Sequence, residues 1–398
     1  MSRRDHFIGT SSSVKTGAAA VILLVLVTVL CLLFAPQARA EKAGERYTQT
    51  NLVSDIFVQV ESVDSSLVNC WGMTTDTEGG PWWVADEGKG KATVYSEAGA
   101  AIPVLSPLVP LLVTVPVTPG GINDYSTPTG VVYNGAEDFE LAPNVPSRFI
   151  FVTRDGSIAG WNSEQDPYEA VVVQDNSPEA VYTGAALASL DGRNVLYVAN
   201  FGQGRVDAFG PDFGLLTLEA GAFIDPDLPE GFSPYNVQNI DGEIWITFAM
   251  PGPDGRTALS GQGLGYVAVF DASGGLLMRL KSGPWFDAPW GIAMAPGAGF
   301  GKYSGSVLVG NSGSGEIAAF NAASGSYLGL LKGGESEPIA VPGLHGLGFG
   351  NGGVAGPKTT LYFTAGSRAG LNVFGSISTG SAPGTGAVIS PAGAAAGY

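Results

Sequence analysis

The stretch LYVANFGQGRVDAF, residues 196–209, holds the pattern that decides the fold. Apolar residues alternate with small or polar ones on both sides of a Gly-containing turn, which is typical of two strands joined in a tight hairpin. The pattern returns as WWVADEGKGKATVY at residues 82–95 and as VLVGNSGSGEIAAF at residues 307–320. A hairpin that recurs in this way indicates an internal repeat.

A short element before each hairpin gives the repeat its period. It reads CWGM, PTGV, YTGA, PYNV, PWGI and LHGL, and the third residue of each copy serves as a marker. The six markers are Gly72, Gly130, Gly184, Asn236, Gly291 and Gly346, spaced by 58, 54, 52, 55 and 55 residues. A further apolar run closes most copies. Four strands in each of six such units predict an all-β fold, a six-bladed β-propeller of four-stranded blades.

The two ends of the repeat region fit a closed ring. The sixth copy has no fourth strand, whereas the run YTQTNLV at residues 47–53 stands alone before the first copy. We predict that this N-terminal strand completes the last blade and covers a sheet edge that would otherwise pair with other chains. The propeller then occupies residues 41–378. Residues 379–398 are mainly Ala, Gly, Ser and Pro, and we predict a disordered tail there.

Composition excludes several classes of protein. The 398 residues include 59 Gly and 26 Pro, which disfavour helices and exclude a helical bundle. A hydrophobic content of 45% is too high for a disordered chain. The net charge of −17, from 19 basic and 36 acidic residues, argues against nucleic acid as a partner, because phosphates attract Lys and Arg.

The N-terminal segment predicts export. An uncharged apolar run at residues 18–35 follows Arg3, Arg4 and Lys15 and precedes an A-x-A site at residues 38–40. These features are typical of a secretory signal, so we predict that residues 1–40 are removed and that the protein is secreted or periplasmic. The alternative is that residues 18–35 remain as an anchor in the inner membrane. Cys70 is then the one cysteine left, and we expect it to be buried and inert.

The motifs resemble known propeller repeats. Hairpins in which V-A-D or V-A-N leads into a Gly-containing turn resemble NHL repeats. The order of motifs from residue 47 to about residue 378 is similar to that of an exported bacterial six-bladed β-propeller family of uncharacterised function. The resemblance implies the same fold and leaves the ligand open.

Candidate ligand-binding residues follow from the repeat alignment, because the loops between blades surround one end of the central channel. The residues just before the markers should line that end: Trp71, Thr129, Thr183, Tyr235, Trp290 and His345. We predict ligand binding by the ring residues Trp71, Tyr235, Trp290 and His345, together with Arg154 at the end of a second strand and Trp285 in a nearby loop. Tryptophan faces stack on sugars and other planar ligands, but they also pack between sheets.

Candidate metal ligands lie at the ends of other second strands. Asp86, Asn200 and Asn311 offer the oxygen atoms that calcium and similar divalent cations prefer. The same residue types also hold turns by bonding to backbone N–H groups. Every loop between blades carries a carboxylate, so we expect an acidic face that attracts cationic ligands or basic partners, unless these side chains serve to cap turns. The loop carboxylates are Asp64, Asp124, Asp175, Asp225, Asp227, Asp287, Glu335 and Glu337.

Two functions remain open at this stage. The sequence holds no G-x-S-x-G, H-E-x-x-H, Walker A or EF-hand motif, which favours a non-enzymatic binding or scaffold propeller. Its partner would be a protein, a glycan or a small molecule, bound by a monomer. The alternative is a metal-dependent hydrolase similar to gluconolactonase-like propellers, with a divalent ion held in the channel by Asp86, Asn200 and Asn311. His345 or Arg154 would then orient the substrate.

Overall fold

The computed structural model describes residues 46–57, 60–103, 109–121, 123–334, 336–368 and 370–379. The predicted signal segment, residues 1–40, lies outside these ranges, and so does the predicted tail apart from Thr379. Within the described ranges, no helix has the length and apolar character needed to cross a membrane. The regular structure there consists of β-strands and two short 3-10 turns, as the all-β prediction requires.

The strands are numbered here in chain order. Those up to the second repeat are β1 (Tyr47–Ser54), β2 (Ser62–Val63), β3 (Cys70–Thr74), β4 (Trp82–Asp86), β5 (Lys91–Tyr95), β6 (Leu112–Thr114), β7 (Pro128–Tyr133), β8 (Glu140–Ala142), β9 (Val145–Pro146), β10 (Phe149–Thr153), β11 (Ser157–Trp161) and β12 (Val171–Asp175). The third and fourth repeats supply β13 (Tyr182–Leu190), β14 (Arg193–Asn200), β15 (Arg205–Phe209), β16 (Ser233–Ile240), β17 (Glu243–Ala249), β18 (Tyr266–Phe270) and β19 (Leu276–Arg279). The last two supply β20 (Pro289–Met294), β21 (Ser306–Asn311), β22 (Ile317–Asn321), β23 (Tyr327–Leu330), β24 (Leu344–Phe349), β25 (Leu361–Ala365) and β26 (Val373–Thr379). The 3-10 turns are Phe201–Gln203 and Gly301–Tyr303.

These strands form six blades, so the predicted six-bladed propeller is confirmed. Blades one, two, four and five are four-stranded sheets: β3 to β6, then β7 with β10 to β12, then β16 to β19, then β20 to β23. Blade three has three strands, β13 to β15, because the chain leaves its sheet after one bridge between Phe209 and Leu215. A small hairpin of β8 and β9 projects from blade two.

The sixth blade joins the two ends of the described chain, as predicted. Its strand order is β24, β25, β26, β1 and β2, and β1 pairs antiparallel with β26 from Tyr47 opposite Thr379 to Ser54 opposite Val373. The Tyr47 hydroxyl donates to the Phe300 carbonyl oxygen at 3.0 Å and accepts from the Tyr303 N–H at 3.2 Å. The N-terminal strand is therefore bonded both to blade six and to a turn of blade five.

Apolar side chains fill the space between neighbouring blades. Trp83 of blade one stacks on Phe149 of blade two with ring centroids 4.1 Å apart. Tyr95 of blade one lies 5.6 Å from Phe374 of blade six, so the contact between the first and last blades is as apolar as the others. Strands that are covered on both faces need few charged residues, which explains the low charged content of the chain.

The marker glycines are required by the narrow channel. The first strand of each blade lies on the central axis beside the first strand of the next. A Cβ atom on Gly72 would lie 2.5 Å from the Thr129 carbonyl oxygen, and one on Gly291 would overlap the His345 carbonyl oxygen. Both positions exclude a side chain because a neighbouring backbone occupies the space, and the period of the sequence therefore follows from packing around the axis.

Candidate functional site

Four aromatic side chains close the channel at the end where the first strands begin, which we call the loop end. Trp71 stacks on His345 with ring centroids 4.1 Å apart, and its ring meets those of Tyr235 and Trp290 edge-on at 5.9 and 6.1 Å. All four side chains are buried. They come from blades one, four, five and six, so four of the six residues predicted to line the channel end contact one another. We call these four residues the aromatic plug.

Polar atoms around the plug form hydrogen bonds between different blades. The Trp290 Nε1–H donates to the Thr183 carbonyl oxygen at 2.9 Å, and the Asn236 Nδ2 donates to the Trp290 carbonyl oxygen at the same distance. The Thr129 hydroxyl donates to the Tyr182 carbonyl oxygen at 2.8 Å. The two ring threonines therefore take part in bonds between blades.

The channel below the plug is too small for a ligand. Its cavity, about 30 Å³, lies between the first strands and is lined in part by Gly72, Gly130 and Gly346. A water molecule needs roughly 10–15 Å³ measured in this way, so the cavity holds no more than one or two waters. A ligand must therefore bind above the plug or elsewhere on the surface.

Directly above the plug, one buried carboxylate holds two arginines. The Arg154 Nη1 donates to Glu87 Oε1 at 3.0 Å, and Arg368 donates to both Glu87 oxygens at 2.8 and 3.1 Å. Asn69 adds a bond to Oε2 at 2.5 Å. The Arg154 guanidinium also lies 5.7 Å from the centre of the Trp71 ring, within cation–π distance. Glu87 thus fixes two cations at the loop end.

A third arginine reaches the same place from blade four. Arg256 lies in the long connection between β17 and β18, and its Nη2 donates to the Arg154 carbonyl oxygen while Arg154 donates to the Arg256 carbonyl oxygen at 3.1 Å. Its nearest carboxylate, Asp155, lies 3.9 Å away, beyond hydrogen-bond distance. Burial, followed by the charge of Arg154, lowers the pKa of Arg256. We call Arg154, Arg256 and Arg368 the arginine cluster.

The plug residues are poor acid–base groups near neutral pH. Burial, with a further contribution from the Arg154 charge, lowers the pKa of His345 to about 3, and its Nδ1–H donates to the Gly343 carbonyl oxygen at 2.8 Å. Burial raises the pKa of Tyr235 to about 12. A general base works best with a pKa near the operating pH, so this arrangement suits packing better than proton transfer.

The three candidate metal ligands lie in different blades, and no hydrogen bond within the described ranges joins any two of them. The Asn200 Oδ1 accepts from the N–H groups of Val181 and Gln203, and its Nδ2 donates to Asp207 at 2.7 Å. The Asn311 Oδ1 accepts from the Asp287 N–H at 2.9 Å. Both amides therefore hold turns and loops, the alternative role open to them.

Asp86 has a different environment. Its carboxyl group is fully buried beside Cys70, and neither oxygen has a hydrogen-bond partner among the described residues. Burial, with a further contribution from the Asp64 charge, raises the pKa of Asp86 well above its usual range. A search of the described residues finds no group of three or more His, Cys, Asp or Glu arranged to hold a metal ion.

The remaining site candidates lie away from the channel. Trp285 is half-buried and stacks on Tyr327 at 3.9 Å, while its Nε1–H donates to the Lys281 carbonyl oxygen at 3.0 Å. With Arg279 and Lys281 it lines an open groove of about 470 Å³ between blades four and five. The structure does not bring Trp285 to the plug.

The loop carboxylates are largely engaged inside the molecule. Asp225 accepts two bonds from the Arg279 Nε at 2.7 and 2.6 Å, Asp64 accepts from the Tyr95 hydroxyl at 2.9 Å, and Asp287 accepts from the Gly261 N–H at 2.7 Å. Glu335 lies outside the described residues. Three arginines, which the expectation of an acidic face did not include, lie at the centre of the loop end.

Sequence reasoning missed Glu87, Arg256 and Arg368 at this site. Arg154 stood at a repeat position, whereas Arg256 and Arg368 lie in turns between second and third strands whose lengths differ from blade to blade. Glu87 follows Asp86 directly. The repeat alignment selected one position at the end of each second strand, which in blade one is Asp86 rather than Glu87. The signal that was available is the charge itself, because only 19 of the 398 residues are basic and four of them, Lys89, Arg154, Arg256 and Arg368, lie in these turns.

The fold and the closed channel define a six-bladed β-propeller with a polar site at its loop end, and comparisons with known proteins agree with this class. No family model matches the sequence. Uncharacterized protein R640 of Acanthamoeba polyphaga mimivirus is 32% identical over 270 residues, which are 65% of this chain and 48% of that protein. Uncharacterized protein R648 of the same virus is 28% identical over 307 residues, 74% of this chain and 72% of that protein.

The chain spans about half the length of the first of these relatives. Both relatives are viral, so the predicted bacterial origin, the NHL likeness and the export signal stay predictions. Among solved structures, a glucose dehydrogenase superposes with a TM-score of 0.50 at 12% identity, covering 84% of this chain and 100% of the other. Virginiamycin B lyase from Staphylococcus aureus gives 0.45 at 10% identity, covering 84% and 99%. At these identities the likeness concerns the fold alone.

Proposed function

We propose that this protein is an exported, non-enzymatic binding propeller that holds its ligand at the loop end of the channel, above the aromatic plug. The observation that carries the proposal is the pair of salt bridges at Glu87, where Arg154 and Arg368 from two blades bind one buried carboxylate. Ordered charged side chains that remain partly exposed in a concave, rigid setting are typical of ligand sites.

The physical support is preorganisation. Side chains already fixed by hydrogen bonds lose less conformational entropy when a ligand binds, so affinity rises without new contacts. Arg154 and Arg256 expose 17% and 18% of their side chains and Arg368 exposes 43%, so each is both fixed by bonds and accessible. The plug below supplies a rigid floor.

The competing hydrolase proposal has weaker support. Its divalent ion needs several ligand oxygens around one point, whereas Asp86, Asn200 and Asn311 lie in different blades and both amide oxygens already accept backbone N–H groups. Metal analysis of the purified chain keeps the two proposals apart. A stoichiometric divalent ion that is lost in the Asp86→Ala variant would favour the hydrolase.

The binding proposal is tested by blocking the loop end. Tyr125 is 36% exposed and its hydroxyl accepts from the Arg368 Nη1 at 3.0 Å, so Tyr125→Trp enlarges a side chain that lies directly against the arginine cluster. Leu277→Trp, at an exposed leucine of β19, is the matched control. Thermal-shift titrations with glucose, lysine, succinate and inorganic phosphate should find a probe that stabilises the wild type and the control but not Tyr125→Trp. Equal shifts in all three proteins, or no shift with any probe, would overturn the proposal.

Export is tested separately by N-terminal sequencing of the full-length chain after expression in a bacterium. The expected product starts after Ala40 and is recovered outside the cytoplasm. An intact N-terminus in the membrane fraction would support the anchor at residues 18–35, and an intact cytosolic product would refute export.

A further inference from the structure

We infer that the loop-end site selects an anion, a ligand that carries a carboxylate or phosphate group. The inference rests on the proposed function and adds the chemical class of the ligand. It departs from the acidic face expected from the loop carboxylates, which favoured cationic ligands.

The first argument is the local charge. The arginine cluster places three cations at the loop end, and the carboxylates in contact with it are Glu87 and Asp155. A third carboxylate, Asp254, interacts with Arg154 and Arg256, but its oxygens accept the N–H groups of Arg256 and Thr257 within its own turn. Three cations are therefore matched by three carboxylates here, in a chain whose net charge is −17 and of whose 398 residues only 19 are basic.

The second argument is the repulsion between Arg154 and Arg256. Their guanidinium groups approach each other because each donates to the other's carbonyl oxygen. The Nε atoms of both side chains are buried without a hydrogen-bond partner among the described residues. Two partly desolvated cations held in this way repel each other strongly, because the protein interior screens charge less well than water. A bound anion would relieve that repulsion.

The third argument is the availability and geometry of donors. Guanidinium groups present N–H donors in a planar fork that matches the two oxygens of a carboxylate or phosphate. Glu87 engages Arg154 and Arg368, whereas Arg256 makes a single hydrogen bond through Nη2 and keeps part of its side chain exposed. Arg256 is therefore the donor expected to contribute most to the anion.

The surroundings limit the size of the ligand. Tyr125 accepts from the Arg368 Nη1 at 3.0 Å, its ring lies 5.7 Å from the Arg368 guanidinium, and it is 36% exposed. An aromatic ring next to a cation excludes water from part of the site and strengthens the electrostatic attraction. A small anion with a short apolar part fits this setting better than a polyanion, which the negative net charge repels.

Calorimetric titration at constant ionic strength tests the inference with two probes, sodium succinate for the carboxylate and sodium phosphate for the phosphate. Chloride of equal ionic strength is the reference. We expect at least one probe to bind the wild type, and we expect Arg256→Gln to weaken that binding about tenfold or more, as for the loss of a charged hydrogen bond. Arg256→Lys should retain part of the affinity, because lysine keeps the positive charge but lacks the planar pair of N–H donors.

Arg148→Gln is the matched control. Arg148 pairs with Glu137 at 3.5 Å, its side chain is 40% exposed, and it lies in blade two beside the turn at the opposite end of the channel. Binding should be unchanged in this variant, and the urea midpoints of all variants should confirm that they are folded. The probe that binds identifies which oxyanion is preferred.

Two results would overturn the inference. One is no heat of binding from either anion, and the other is equal affinity in the wild type and Arg256→Gln. The proposed function fails in a different way. If glucose or lysine binds the wild type but not Tyr125→Trp, while neither anion binds, the site at the loop end stands and its preference for anions is refuted.

Discussion

Asp86 is a fully buried carboxyl group, and burial disfavours its ionised form. Its pKa is raised in the folded state, mainly by burial, so the folded chain retains a proton that the unfolded chain releases above pH of about 4. Stability attributable to this group is therefore greatest at low pH and falls as the pH rises through the folded pKa. We expect Asp86→Asn to remove that dependence.

Urea midpoints of the wild type and Asp86→Asn between pH 4 and 8 measure this effect. The difference between the two proteins should increase with pH in favour of the variant. Asp212→Asn, at an exposed turn, is the control and should follow the wild type. Parallel curves for the wild type and Asp86→Asn would show that Asp86 has an ordinary pKa.

His345 should have the opposite pH dependence. Its folded pKa of about 3 lies below the unfolded value of about 6.5, so below pH of about 6.5 the unfolded chain binds a proton that the folded chain does not. The stability contribution is present above the unfolded pKa and is lost as the pH falls toward 3. His345→Gln should unfold with a shallower loss of stability between pH 6.5 and 4. A slope equal to that of the wild type would contradict the depressed pKa.

Among the strands, β1 is attached by one side chain in particular. Tyr47 is buried, contacts Phe300 with ring centroids 4.9 Å apart, and both donates and accepts a hydrogen bond. Tyr47→Phe leaves buried backbone groups without partners and should cost about 1–3 kcal/mol of unfolding free energy. Tyr47→Ala adds a cavity and should cost about 3–5 kcal/mol.

Chemical denaturation measures both Tyr47 variants against Tyr168→Phe, whose side chain is 42% exposed. The control should lie within about 0.5 kcal/mol of the wild type. Equal stability of Tyr47→Ala and the control would mean that β1 is attached by its backbone alone.

Among the turns, Asn311 tests whether the amides at the strand ends hold loops or a metal. Its Nδ2 donates to the carbonyl oxygens of Trp285 and Glu316, both at 3.0 Å, in addition to the bond accepted from Asp287. Asn311→Ala should cost about 1–3 kcal/mol, because these buried groups lose their partner. Asn321→Ala, at an exposed turn with similar bonds, should cost less because water replaces the amide.

A chelator should change the stability of neither the wild type nor Asn311→Ala. Loss of stability in the wild type on addition of chelator, absent in Asn311→Ala, would instead indicate a bound cation.

The whole ring depends on its closure. Apolar contacts run between every pair of neighbouring blades, including Trp82 of blade one with Tyr362 of blade six at 5.2 Å. Deleting residues 47–53 removes almost all of β1, the strand that pairs with β26 in blade six, and exposes the edge of β26. We expect the truncated chain to be sharply destabilised throughout rather than in one blade, with a lower melting temperature by calorimetry and a tendency to associate through the free edge. A stable monomeric truncation would refute the role of β1.

The repeat period predicted the blade count and the closure because both follow from local signals. Strand alternation, turn glycines and the markers are each set within about 15 residues, and Gly72 and Gly291 occupy places where no side chain fits. The loop-end site was less accessible to sequence reasoning. Arg256 and Arg368 are 112 residues apart in sequence and meet Arg154 only through the order of the blades. Their convergence depends on turn lengths that the repeat does not conserve within the chain.

The pairing of β1 with β26 also brings the first and last described strands of the propeller together. Tyr47 lies opposite Thr379, and the Tyr47 hydroxyl bonds to the turn at Phe300, at the end of the ring remote from Arg154 and Glu87. The first residue of β1 and the last residue of β26 therefore lie at the same corner of the propeller. A ligand that approaches the arginines therefore does so from the end of the ring opposite to the one where the first and last described strands meet.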